Sequence, residues 1–113
     1  MTNTLAQLKG LADPSRLRIL NLLLTQDLCV GALAHHLGLS KPSVSQHLKV
    51  LRGAGLVKGE KRGYWTHYLV QRDALRQVGA NLQAMAEQQP NQEERLVALA
   101  IKPAKAFKGP RAK

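Results

Sequence analysis

The chain reads as a mostly α-helical domain carrying one two-stranded β-hairpin, and three observations predict it. Apolar residues recur at helical spacing through most of residues 3–88. Aromatic residues make up only 4% of the sequence, so the core must be built from Leu, Val and Ala, as in a helical protein. The period changes once, where the strand formers of Leu56-Val57 and Tyr64–Val70 flank Lys58-Gly59-Glu60-Lys61-Arg62-Gly63.

Leu5, Leu8 and Leu11 mark a first helix over residues 3–11. Asp13 then restarts the helix as an N-cap, with Pro14 at the first position, where its missing N–H leaves nothing unpaired. This second helix runs through Leu17, Ile19, Leu20, Leu23 and Leu24 and ends near residues 25–27. A third spans Val30–Leu37 and stops at Gly38, with the small Ala34 permitting close packing across the tight turn Gly38-Leu39-Ser40. Ser40 is a natural N-cap for a fourth helix over residues 40–52, with Pro42 in its first turn.

That fourth helix has two opposed faces. Val44, Leu48 and Leu51 fall at i, i+4 and i+7 and face a core. Lys41, Ser43, Ser45, Gln46, His47, Lys49 and Arg52 form a polar, positively charged opposite face. Such a helix is either a solvated amphipathic element or one that lays its polar face in a DNA major groove. Caps, spacing and polarity together favour a helix-turn-helix, and Gly53-Ala54-Gly55 ends it. The basic hairpin that follows then reads as a wing, whose Lys61 and Arg62 reach phosphates or the minor groove.

From Arg72 to Gln88 the helical period returns, with Leu75, Val78, Leu82 and Met85 spaced by 3, 4 and 3 residues. This narrow seam suits pairing with another helix, so these four residues, with Leu5 and Leu8, are the candidate dimer interface. The expected architecture is a dimeric winged helix-turn-helix over residues 1–92, followed by a C-terminal extension over residues 93–113. A short helix over residues 93–101 opens the extension. Lys102, Lys105, Lys108, Arg111 and Lys113, with two prolines and a glycine, predict a disordered basic tail beyond it.

Seventeen Lys and Arg against seven Asp and Glu leave a net charge of +10, which favours a polyanionic partner, nucleic acid or an anionic membrane surface. No apolar run approaches the ~20 residues that span a bilayer. No secretion signal is evident, and a single cysteine allows no internal disulfide framework, so a cytoplasmic location without membrane attachment is expected. Nucleophile–base motifs, metal-ligand clusters and phosphate-binding glycine loops are missing from the sequence, which argues against an enzyme. The competing class is a basic nucleic-acid binder without sequence preference.

Four segments carry a family resemblance: Leu11-Ala12-Asp13-Pro14-Ser15-Arg16-Leu17-Arg18-Ile19-Leu20, Asp27-Leu28-Cys29-Val30, Pro42-Ser43-Val44-Ser45-Gln46-His47-Leu48-Lys49-Val50-Leu51 and Ala54-Gly55-Leu56-Val57. In order and spacing they closely resemble the ArsR/SmtB family of bacterial repressors, over roughly residues 5–88. The resemblance implies a homodimeric winged-helix protein on an inverted-repeat DNA operator, released by an inducer that is usually a metal or metalloid. It also implies that Ser43, Ser45, Gln46 and His47 lie on the groove-reading face and that the fifth helix pairs the subunits.

The effector is less legible. The arsenic-sensing branch of the family carries Cys-Val-Cys on the third helix, whereas this chain has Cys29-Val30-Gly31. Arsenite-like metalloids want two or three thiolates, so Cys29 could serve only as one ligand of a site shared between subunits or completed by a small thiol. A divalent-metal site of Cys29 with His35 or His36 is a further candidate, although neighbouring helical residues point about 100° apart. The Asp-x-His pair of another branch is absent, because Asp73 is followed by Ala74 and Leu75. Cys29 could instead be a redox or persulfide sensor, or a small packed hydrophobe in an effector-independent regulator.

Overall fold

The structure is a computed structural model and describes residues 4–90 and 92–101. The order of elements is α1 (Thr4–Leu11), α2 (Pro14–Leu23), α3 (Val30–Leu37), α4 (Lys41–Gly53), β1 (Val57–Arg62), β2 (Trp65–Val70), α5 (Arg72–Glu87) and α6 (Gln92–Ile101). Two compact units divide the chain, the first ending at Gln83 and the second beginning at Ala84. The expected basic tail, residues 102–113, lies outside the described residues.

Local chemistry sets the helix boundaries. Asp13 Oδ2 accepts the Arg16 N–H at 3.0 Å, and Pro14 begins α2. Gly38 closes α3 at φ 68°, a left-handed conformation that favours glycine, while the Leu39 N–H reaches back to the Ala34 carbonyl at 3.1 Å. Ser40 Oγ accepts the Ser43 N–H at 3.1 Å to open α4. Of the two glycines expected to end α4, Gly53 is its last helical residue, and Gly55, at φ 75°, turns the chain so that the Leu56 N–H returns to the Leu51 carbonyl at 3.0 Å.

The core is aliphatic. Ile19, Leu23, Leu33, Leu48, Leu51 and Leu56 are its largest fully buried side chains, joined by Val44 and Val57. All three residues of the α4 stripe are therefore buried, which fixes that helix on the domain and leaves its other face outward.

β1 and β2 pair antiparallel from Val57↔Val70 to Arg62↔Trp65. The connection is the two-residue turn Gly63-Tyr64, with Gly63 at φ 65° and Tyr64 at negative φ, the pattern of a type II′ hairpin. Lys58–Arg62 thus belong to a strand and not to a loop at the tip, as the sequence suggested. One positive-φ glycine suffices to reverse the chain, so the residues before it stay in the ladder. Leu28 and Tyr68 exchange backbone hydrogen bonds of 3.2 and 2.8 Å, tying the segment before α3 to the wing.

The dimer seam expected on α5 divides. Val78 is 3% exposed within the protomer and belongs to the core, so it is not a surface contact. Leu8 and Leu75 pack half-buried against that core, whereas Leu5, Leu82 and Met85 remain exposed. Beside Val78, the buried Asn81 donates through Nδ2 to Thr4 Oγ1 at 3.0 Å and accepts from Gln77 Nε2 at 3.0 Å, linking α5 to α1. No helix among the described residues is long and apolar enough to cross a membrane.

Candidate nucleic-acid interface

α4 presents Lys41, Ser45, Gln46, Lys49 and Arg52 on its exposed face, with Ser43 half-buried beside the Ser40 cap. These are groups able to pair with phosphates and base edges. In general Lys and Arg can pair with phosphates, and a glutamine amide such as that of Gln46 can pair with adenine.

His47 sits differently from its neighbours. Its side chain is 21% exposed, and its Nδ1 lies 3.3 Å from Arg16 Nη1 and 3.9 Å from Asp13 Oδ2. Arg16 also donates from Nε to the Gly10 carbonyl at 2.7 Å and from Nη2 to the Lys9 carbonyl at 3.2 Å. One guanidinium thereby links the last turn of α1 to the middle of α4. Close backbone approach completes this joint, because a Cβ on Gly10 would stand 3.2 Å from Ala54 Cβ, beyond the end of α4.

The hydrogen bond from the Arg16 N–H holds the Asp13 carboxyl below the ordinary aspartate range, against the opposing effect of desolvation. A lowered folded-state pKa means that this cap stabilises the protein fully above the unfolded value and is lost as pH falls through the folded one. Asp13→Ala is expected to destabilise the protein near neutral pH, as the loss of an N-cap does. The cost should shrink on acidification below the ordinary aspartate range. Urea unfolding of both proteins across that range measures it.

On the wing, Lys58 and Lys61 are exposed. Arg62, expected to reach phosphates, is engaged within the chain. Its Nη2 donates to Glu60 Oε1 at 2.6 Å and to Asp27 Oδ2 at 2.8 Å, and these contacts hold the guanidinium firmly charged. Two acids neutralise this cation and clamp the wing to the loop before α3. At the turn, Tyr64 and Trp65 are 94% and 63% exposed.

Cys29 is the N-cap residue of α3 and half-buried, making no capping hydrogen bond through its side chain. It lines a cavity of about 320 Å³ with Val30, Gly31, Lys41, Trp65, Thr66 and Tyr68. His35 and His36 lie exposed in the last turn of α3, their rings 5.6 Å apart, and line no part of that cavity. Among the described residues no three His, Cys, Asp or Glu side chains gather to hold a metal. Neither His35 nor His36 shares the Cys29 cavity, and a pairing of Cys29 with either gathers no third such ligand among the described residues.

Residues 13–58, the span from the α2 cap to the start of the wing, match the family described as bacterial regulatory protein, arsR family. The transcriptional repressor SdpR of Bacillus subtilis is 38% identical over 60 residues, 53% of this chain and 67% of the relative. The arsenical resistance operon repressor of Staphylococcus xylosus is 40% identical over 75 residues, 66% of this chain and 72% of the relative. A solution structure from Mycobacterium bovis, of a homodimeric winged helix-turn-helix DNA-binding domain and possible ArsR-family regulator, superposes with a TM-score of 0.64. It is 30% identical and the alignment covers 76% of this chain and 80% of that one. With the capped α3–turn–α4 pair, the buried α4 stripe and the hairpin in the same order, the chain belongs to the ArsR family of winged helix-turn-helix transcription regulators, proteins that bind DNA and are not enzymes.

Proposed function

We propose that the chain is a homodimeric, sequence-specific transcriptional repressor that binds an inverted-repeat operator through α4. The observation that carries this is the division of α4: Val44, Leu48 and Leu51 are buried while Lys41, Ser45, Gln46, Lys49 and Arg52 face outward. Within the first unit, Leu5 and Leu82 are large apolar side chains left exposed, which suits a subunit contact and agrees with a homodimeric relative. Dimer symmetry would place two copies of α4 on half-sites one or more DNA turns apart. In this reading residues 1–92 bind DNA and dimerise, the extension from residue 93 adds basic charge, and the protein acts in the cytoplasm.

Fluorescence anisotropy tests it against the competing charge-driven binder. At one fixed salt concentration, a repressor should prefer the inverted repeat from upstream of its gene over random duplex by ~10³ or more. A ratio near one would leave only a basic nucleic-acid binder.

The effector we assign to this repressor is a soft metal ion or metalloid, or a thiol-reactive compound, acting at Cys29. Cys29 and Lys41 line the same cavity, so a change at the thiol reaches the first turn of α4. Arsenite, antimonite, Zn(II), Cd(II), Ni(II) or a persulfide donor, titrated into the operator complex, is expected to release the wild-type protein and not Cys29→Ser. Release of both alike would reduce Cys29 to a packing residue.

A further inference from the structure

The ring of His47 cannot place its proton freely. Its Nδ1 lies 3.3 Å from Arg16 Nη1, and a guanidinium offers donors only, so Nδ1 must be the acceptor. Asp13 Oδ2 lies farther from that nitrogen, at 3.9 Å, and already accepts the Arg16 N–H at 3.0 Å. Nor is the guanidinium loose, since the carbonyls of Gly10 and Lys9 hold its Nε and Nη2 at 2.7 and 3.2 Å.

We infer that Arg16, anchored on the last turn of α1, holds His47 as a neutral imidazole protonated on Nε2, so that α4 offers DNA a fixed N–H donor at this position. Arg16 is a positioning residue acting through His47, and it needs no DNA contact of its own. The donor role rests on the proposed reading of α4. The locked tautomer does not, because it is a property of the protein without DNA.

Two consequences separate this arrangement from a simple basic residue. An Nε2–H donor pairs with acceptors, such as guanine O6 and N7, thymine O4 or a phosphate oxygen, and rejects the amino groups of cytosine and adenine. An uncharged donor displaces no counterion, so it adds nothing to the salt slope, whereas each Lys or Arg on a phosphate adds ~0.9.

The test is nitrogen-15 NMR of the histidine rings in the full chain near neutral pH, free and bound to operator, with the His47 signal assigned by its loss in His47→Gln. The Nε2-protonated tautomer is expected in both states. In Arg16→Ala the ring should relax to a mixture, and Arg16→Lys, which keeps a donor, checks the result should the alanine variant fold poorly. In anisotropy, His47→Ala should weaken operator binding about 2- to 12-fold, the span of one neutral hydrogen bond, with the salt slope unchanged. Arg16→Ala with His47→Ala should lose no more than the larger single loss. An Nδ1-protonated ring or an imidazolium in the free protein would overturn the lock. A locked ring with undiminished operator affinity in His47→Ala would overturn the donor role and count against the reading of α4. A slope that fell by about one in His47→Ala would show a cation on phosphate and overturn the neutral donor.

Discussion

Leu51→Ala is expected to destabilise the fold by about 2–5 kcal/mol, the range for truncating a fully buried leucine. Leu51 is wholly buried in the last turn of α4 and packs in the cluster formed with Ile19, Leu23, Leu48 and Leu56. Its carbonyl also accepts the Leu56 N–H at 3.0 Å, the bond that turns the chain from α4 toward β1. Removing the side chain leaves a cavity beneath the outward-facing helix and loosens the root of the wing together. Operator affinity should therefore fall along with stability. Val50→Ala is the matched control, since Val50 is 37% exposed on the same helix, whereas Leu51 is wholly buried. Its effect should stay within about 1 kcal/mol. Urea midpoints compared at one protomer concentration measure both, because unfolding of a dimer depends on concentration.

Gln46→Ala is expected to cost about 1–3 kcal/mol of discrimination, a 5- to 150-fold drop in the ratio of operator to random-duplex affinity. Gln46 lies exposed on α4, one residue before the anchored His47, and its neutral amide can pair bidentately with a base edge. Its loss should leave the salt slope and the fold unchanged. Lys49→Ala should do the opposite, weakening all duplexes to a similar degree and lowering the slope by about one. Anisotropy titrations on operator and random duplex over a salt series separate the two. An equal loss on both duplexes for Gln46→Ala would remove it from base reading.

The contrast between these residues and Arg62 shows what the sequence alone could carry. Helix caps are local: Asp13 and Ser40 each meet a backbone N–H three residues on, so their roles were legible from spacing. The faces of α4 were legible for the same reason, since a helical period fixes which side chains share a side. Partners across the fold were not. Arg62 meets Asp27 at a separation of 35 residues, and Arg16 meets His47 at 31. Periodicity assigns a face but not what stands opposite it, so Lys61 and Arg62 of the wing and all polar α4 residues looked equally available to DNA.

The seam on α5 shows the same limit. Leu75, Val78, Leu82 and Met85 share a periodicity, yet Val78 enters the core while Leu82 and Met85 remain at the surface. The buried Asn81 three residues on from Val78 is the informative neighbour, because its amide is hydrogen bonded to Thr4 on α1 and to Gln77. The cysteine region was legible only in part. Its position before α3 follows from the sequence, but the cavity it shares with Lys41 and Trp65 requires the wing to fold back beside α3 through the Leu28–Tyr68 pairing.

Hydroxyl-radical footprinting on the upstream inverted repeat tests most directly whether paired α4 helices read DNA. The expected pattern is two protected patches related by a dyad, their centres one helical turn of about 10–10.5 base pairs, or a multiple of it, apart. Protection that spreads evenly along any duplex, with no dyad and no fixed spacing, would contradict it.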